Sequence, residues 1–254
     1  MATAVVLAAA PALAEEPKPD AQIADPWEGA NRGFYKFSMG VDRVVIAPII
    51  HAYQAVLPDP VRQGVKNVIY NLDEPRTAAN DTLQGRLDRA GATTARFVIN
   101  STIGLGGLFD VAGRTGLPGH NSDFGQTLGR YGVGTGPYIF VPFAGPSDVR
   151  DGFGRIVDAI GDPVAWVVGD LTTTFGQVRD GVRVLQARVD IDDQLRGLDR
   201  DFIDPYATLR SGFSQNRAFK VQEAQGQTAA AIETLPDFSA ETGPAPTPAP
   251  PAKP

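Results

Sequence analysis

Apolar positions recur at three- and four-residue intervals along most of this chain, and Pro and Gly cut the pattern into short runs. Val61, Val65, Val68, Ile69 and Leu72 share one face of a predicted helix that opens at Pro58-Asp59-Pro60, with Arg62 and Lys66 on other faces. Asp73-Glu74-Pro75 is expected to end it, because a residue before proline avoids the helical region. A further helix is expected from Thr77 through Leu83, stopping at Gln84-Gly85. Upstream, Asp25 reads as an N-cap and Pro26 suits a first turn. The helix that follows carries Trp27, Phe34, Tyr35, Phe37, Met39 and Val41, with Arg32, Lys36 and Arg43 among them. Rings mixed with Lys and Arg suit the headgroup level of a membrane, and they equally suit a helix packed in an ordinary core.

Downstream, Ser147 and Asp148 cap a predicted helix with Val149, Phe153, Ile156, Val157 and Ile160 on its apolar face. After Asp162-Pro163 a single amphipathic helix is expected from Val164 to Val184, with Arg179, Arg183 and Arg188 toward its end. Asp204-Pro205-Tyr206 opens the last helix, running through Leu209, Arg210 and Phe213. Pro137 to Phe143 reads as a short extended run between two prolines. The fold class is mainly α.

Phe97 to Val111 departs from the amphipathic pattern. Thirteen residues between Arg96 and Asp110 carry no charge, and Asn100, Ser101 and Thr102 sit beside Gly104, Gly106 and Gly107. The segment is too short to cross a bilayer of roughly 30 Å as a helix. It reads as a bent segment that is buried, re-entrant or interfacial.

The ends differ from the middle. Residues 1–14 have an apolar core closed by Ala12-Leu13-Ala14, a signal-peptidase-like site, and residues 15–24 read as a linker. Residues 236–254 are a Pro/Ala-rich tail expected to be disordered. One folded domain is therefore expected over 25–235. No run of about 18–20 apolar residues follows the signal.

A net charge of −6 argues against a nucleic-acid partner. The chain has no Cys, so thiol chemistry and zinc–thiolate sites are excluded. Neither His51 nor His120 has metal-ligand spacing to another ligand, and His120 beside Ser122-Asp123 lacks a nucleophile elbow. Asp25, Asp59, Asp148, Asp162 and Asp204 precede helices, where capping explains them without catalysis. Five glycines from Gly125 to Gly136 are followed by no Lys-Ser/Thr, so the segment reads as a flexible loop or a close backbone approach. No cofactor is expected, and the protein is read as a non-enzyme.

Several runs together resemble the MlaA/VacJ family of outer-membrane phospholipid-trafficking proteins. They are Asp25-Pro26-Trp27-Glu28-Gly29-Ala30-Asn31-Arg32, Asn71-Leu72-Asp73-Glu74-Pro75, Asn80 with Leu83-Gln84-Gly85, and Arg96 through Gly104. Phe124 through Gly129, Tyr131 through Gly134, Gly136-Pro137-Tyr138, Pro142-Phe143 and Asp204-Pro205-Tyr206 complete the order. The resemblance implies a ring-shaped bundle of amphipathic helices in the inner leaflet of the outer membrane, around a central channel. It implies removal of mislocalised phospholipid from the outer leaflet and its transfer toward a periplasmic lipid carrier, with trimeric porins as further partners. The alternative is a structural envelope protein that bridges porins without moving lipid.

By the same resemblance, Gly129, Tyr131, Gly132, Gly134 and Gly136 belong to a loop that borders and gates the channel. Phe97, Ile99, Ile103, Leu105, Leu108 and Phe109 would face the bilayer, and Lys36 with Phe37 would set position in the leaflet. Members of the family commonly carry a lipid-bearing N-terminal Cys. A chain without Cys implies an anchor made of its own helices, or a gene start set too far downstream.

Overall fold

The computed structural model describes residues 23–168 and 173–226. The expected signal segment, most of the linker and the Pro/Ala tail lie outside the described residues. The described chain is helical apart from one hairpin: α1 (Glu28–Val41), α2 (Ala47–Val56), α3 (Asp59–Leu83), α4 (Leu87–Thr102), α5 (Val111–Arg114) and α6 (Phe124–Arg130) come first. The strands β1 (Tyr138–Val141) and β2 (Gly145–Asp148) follow. Then come α7 (Val149–Ile160), α8 (Pro163–Val168), α9 (Thr174–Asp190), α10 (Asp192–Asp201) and α11 (Pro205–Gln225). A π-helical stretch, Asp42–Ile46, joins α1 to α2 in one continuous arm, which meets α3 at a bend of 117°. No single helix among the described residues is long and apolar enough to cross a membrane.

Short polar caps start several of these helices. The Asp123 carboxylate accepts from Gln126 N at 2.8 Å, Asp148 from Asp151 N at 2.7 Å and Asp204 from Ala207 N at 3.1 Å. Each satisfies a backbone donor that the helix leaves open. Asp25 does not cap α1. It accepts from Asn31 Nδ2 at 2.8 Å, from the Tyr206 hydroxyl at 2.5 Å and from Arg210 at 3.0 Å, joining the two ends of the described chain.

Two predicted boundaries fail for tertiary reasons. α3 runs straight through Pro75 to Leu83. The proline removes one ladder bond, but the turn around it is fixed from outside: Glu74 accepts from Arg96 Nε at 2.8 Å and Asp73 pairs with Arg183. The helix expected over 164–184 is two helices, α8 and α9, and Thr173 caps the second by accepting from Gly176 N at 3.1 Å.

α3 and α4 pack side by side, α6 packs on α7 and α11, and α3 also touches α8 and α9. The apolar core lies at one end, where α1, the hairpin and α11 meet. Tyr35, Tyr138, Phe140 and Tyr206 are buried there with Ile23, and their rings meet edge to face at 5.6–6.0 Å. Asn31 fastens this core to the hairpin, accepting from Phe140 N at 3.0 Å. In β1–β2, Tyr138 pairs with Asp148 and Val141 with Gly145.

Candidate functional site

Away from that core the usual polarity is reversed. On α7 the buried residues are Arg150, Asp151, Gly154 and Asp158, whereas Val149, Phe153, Ile156 and Ile160 are exposed. Part of the arm behaves alike: Ser38 and Asp42 turn inward and Phe37, Val44 and Ile49 outward, although Ile50 is buried too. A helix of a water-soluble domain would do the opposite.

The inward polar face of α7 borders a cavity of about 700 Å³ that it shares with α3, α8, α9, α11 and the segment leading into α6. Arg76, Arg155, Arg179, Arg183 and Arg217 line it, with Asp123, Asp151, Asp158, Asp162 and Asp180. Arg217 reaches from α11 and forks onto Asp123 at 2.7 and 2.9 Å, and it also donates to Asp151 at 2.7 Å. Arg179 pairs with Asp162 at 2.9 Å and donates to Asp180 at 3.1 Å, and Arg183 donates to Asp180 at 2.7 Å. Asp158 accepts from Asn80 Nδ2 at 2.8 Å and from Phe124 N at 3.0 Å.

Burial raises the carboxyl of Asp123, but the hydrogen bonds and charge of Arg217 outweigh it and hold the group below the usual range. No arginine hydrogen-bonds Asp158, so burial prevails over its hydrogen bonds and the charge of Arg76, and its carboxyl moves up. Glycine lets the charged faces come this close. A Cβ on Gly154 would lie 2.8 Å from Gly125 Cα, so α6 and α7 cross backbone to backbone beneath Arg217.

The predicted gating loop is a neighbour of this cavity and does not line it. Gly129 is inside α6, where a side chain would strike Val221 and Arg150. Tyr131 is exposed and its hydroxyl donates to Leu83 O at 2.6 Å. Gly132 and Gly134 have open space around them, and Gly136 borders a second cavity of about 580 Å³ against α11. Arg217 lines both cavities. The loop is tied to α7, since Arg150 donates from its backbone N to Thr135 O at 3.1 Å and from its side chain to Val133 O at 3.3 Å.

The segment after α4 is a rigid apolar finger. Ile103, Leu105, Leu108 and Phe109 are exposed on it, while Phe97 and Ile99 are half-buried on α4. Gly107, at φ +89°, leaves no room for a side chain, as a Cβ would sit 2.5 Å from Asn71 Cβ. Leu108 fills the space over Gly64, and Asn67 donates to Leu108 O at 3.1 Å. Arg96 and Asn100 both donate to Asp110 at the finger's base, at 3.2 and 3.0 Å. Lys36 and Phe37 are exposed on α1, and Phe37 meets Phe143 of the hairpin at 5.8 Å.

His120 and Ser122 both address a buried carboxylate that sequence reading passed over. The His120 ring nitrogen lies 2.7 Å from Asp81, and Ser122 Oγ donates to the other oxygen of the same group at 2.5 Å. The hydroxyl is committed to Asp81 and not to the imidazole, so the pair fastens the loop before α6. Among the described residues no group of three or more His, Cys, Asp or Glu could hold a metal ion. The five arginines of the cavity were also missed as a group. Their sequence positions, from Arg76 to Arg217, give no local signal.

An α-helical body with apolar side chains outward and a charged cavity within defines an inside-out helical class of protein. The chain belongs to the MlaA lipoprotein family, whose model matches residues 23–220. It is 34% identical over 199 residues to the "Intermembrane phospholipid transport system lipoprotein MlaA" of Escherichia coli K12, covering 77% of each chain. The protein of that name from Haemophilus influenzae is 34% identical over 218 residues, covering 84% of each. A solved structure described as "Structural basis for maintenance of bacterial outer membrane lipid asymmetry" is similar with a TM-score of 0.69 at 32% identity. The match covers 78% of this chain and 99% of that one.

Proposed function

We propose that this protein is an outer-membrane phospholipid transporter. It takes phospholipid misplaced in the outer leaflet and passes it toward a periplasmic lipid carrier, maintaining lipid asymmetry. The observation that carries the reading is the reversed polarity: exposed Phe153 and Ile156 stand back to back with the charged cavity. Apolar faces outward suit helices lying among acyl chains. A charged interior supplies water or polar partners to a headgroup that would otherwise lose its hydration in hydrocarbon, at a cost of several kcal/mol.

Lipid in the wrong leaflet lies higher in free energy, so a passive path suffices, and no nucleotide or metal enters the step. The body would rest in the inner leaflet of the outer membrane, with the finger at Ile103, Leu105, Leu108 and Phe109 in the chains and Lys36 and Phe37 at headgroup level. The loop of Tyr131, Gly132, Gly134 and Gly136 would regulate passage through Arg150 and Arg217, with Gly129 as its packed root. Trimeric porins would hold the body in place.

The test is a deletion strain whose surface phospholipid is labelled with a membrane-impermeant amine reagent. Labelling should rise several-fold and return to the parental level on complementation. Unchanged labelling would exclude the reading.

A further inference from the structure

The charges lining the large cavity match almost one to one. Arg179, Arg183 and Arg217 are each held by two carboxylates, and between them they engage Asp123, Asp151, Asp162 and Asp180. Arg155 is exposed and turns to Pro146 O at 3.3 Å, toward the hairpin end of α7. One cation and one anion remain. Among the described residues Arg76 comes no closer than 3.8 Å to a carboxylate, that of Asp73, which Arg183 already holds. Its buried Nε has no partner. Asp158 is buried and pairs with no cation among the described residues. It accepts only from neutral donors, Asn80 Nδ2 at 2.8 Å and Phe124 N at 3.0 Å.

These two groups are neighbours. Asn80 follows Arg76 by one helical turn on α3, so both project to one side of the helix. The Asn80 amide donates to Arg76 O at 3.2 Å and to Asp158 at 2.8 Å. Both Arg76 and Asp158 line the cavity, and the charge of Arg76 acts on Asp158, yet neither a hydrogen bond nor an ion pair joins them. Burial disfavours the charge on Asp158 and moves its carboxyl up. An incoming cation would stabilise that charge, as an incoming anion would use the open donors of Arg76.

We infer that Arg76 and Asp158 together form a headgroup site for zwitterionic phospholipid, Arg76 binding the phosphate and Asp158 the ammonium. A guanidinium fork matches two phosphate oxygens, and a carboxylate accepts a charge-assisted hydrogen bond from an ammonium. A headgroup with a phosphate alone satisfies only Arg76 and brings a second negative charge beside Asp158. The inference rests on the phospholipid-transport reading and adds to it which headgroup class the cavity prefers and by which residues.

The test uses the full chain in mild detergent micelles, with bound lipid counted by native mass spectrometry. Phosphatidylethanolamine, phosphatidylglycerol and diacylglycerol of identical acyl chains are each titrated in. The parent should bind phosphatidylethanolamine about tenfold more tightly than phosphatidylglycerol, a ratio of the size one charge-assisted hydrogen bond gives. Asp158→Asn should bring the two to equality by weakening phosphatidylethanolamine alone. Arg76→Gln should weaken phosphatidylethanolamine about tenfold and lower phosphatidylglycerol to the level of diacylglycerol, and Arg76→Lys should restore part of both. The Arg76 side chain donates no hydrogen bond among the described residues, so circular dichroism of Arg76→Gln should match the parent. That variant decides the matter even where Asp158→Asn does not fold.

Equal binding of both phospholipids by the parent, above diacylglycerol, overturns the zwitterion site and leaves the transport reading intact. So does phosphatidylethanolamine binding that Arg76→Gln leaves unchanged. No preference of the parent for either phospholipid over diacylglycerol counts against the transport reading itself. Displacement of the lipid by glycerophosphoethanolamine at equal concentration would assign the site to a free headgroup and overturn the lipid assignment.

Discussion

Two regions of this molecule are stabilised by opposite means. Around Tyr206 the rings of Tyr35, Tyr138 and Phe140 meet away from solvent, as in any globular core. Around the cavity the interior is made of arginine and aspartate, and the apolar side chains of α7 point away from the protein. Burial of each large apolar side chain in the first region contributes about 1.5–3 kcal/mol. Buried ion pairs in the second gain little net free energy, because desolvation offsets the attraction, but losing one partner is costly. The aromatic end thus supplies stability, while the charged end supplies a defined geometry around a polar space.

The comparison can be broken at four places. Phe140→Ala should be the most damaging, with about 3–5 kcal/mol lost in denaturant unfolding, since a buried ring leaves a cavity. A loss below about 1 kcal/mol would show that the aromatic cluster does not hold the fold. Arg217→Met should cost about 3 kcal/mol by stranding Asp123 and Asp151. Adding Asn at both positions should recover most of that, whereas an equally unstable triple variant would mean that Arg217 acts by packing.

Asp148 gives a pH signature where the two regions join. It is fully buried, one carboxylate oxygen accepts no hydrogen bond and has Arg150 only at 4.0 Å, and burial pushes its carboxyl up to about 6. Because the folded state holds this proton more tightly than the unfolded chain, the group's full contribution is present below its ordinary value. That contribution is lost as pH rises through about 6. Asp148→Asn keeps the cap acceptor, so it should be more stable than the parent by about 1–3 kcal/mol at pH 7 and equal to it near pH 4. A variant no more stable at pH 7 would exclude a strained carboxylate. The smallest effect on folding belongs to Ile156→Ser on the outward face, within about 0.5 kcal/mol. Its vesicle binding, measured by flotation, should fall roughly tenfold.

Much of the secondary structure was legible. Asp148 and Asp204 cap where expected, and the extended run after Pro137 is β1. The bent uncharged segment ends in a finger in which Gly104 and Gly107 are there for close packing. What failed was local punctuation read without neighbours: Pro75 does not stop α3, and Asp25 bonds across the fold instead of capping α1. The cavity was illegible because its residues come from helices far apart in the chain. The glycine loop was legible as a distinctive segment, but it lies beside the cavity, joined to it through Arg150 and Arg217.

By itself the sequence determined that the chain is helical, where most helices begin, and that each has one apolar and one polar face. Periodicity carries that information, because side-chain direction follows residue number within an element. It could not say which face turns inward. Val149, Phe153, Ile156 and Ile160 make the same stripe whether they cover a core or meet lipid. Only the tertiary structure decided that α7 turns Asp151 and Asp158 toward Arg217 and Asn80. Which face is inside depends on the charges that other helices bring to meet it, and those lie beyond the reach of any local pattern.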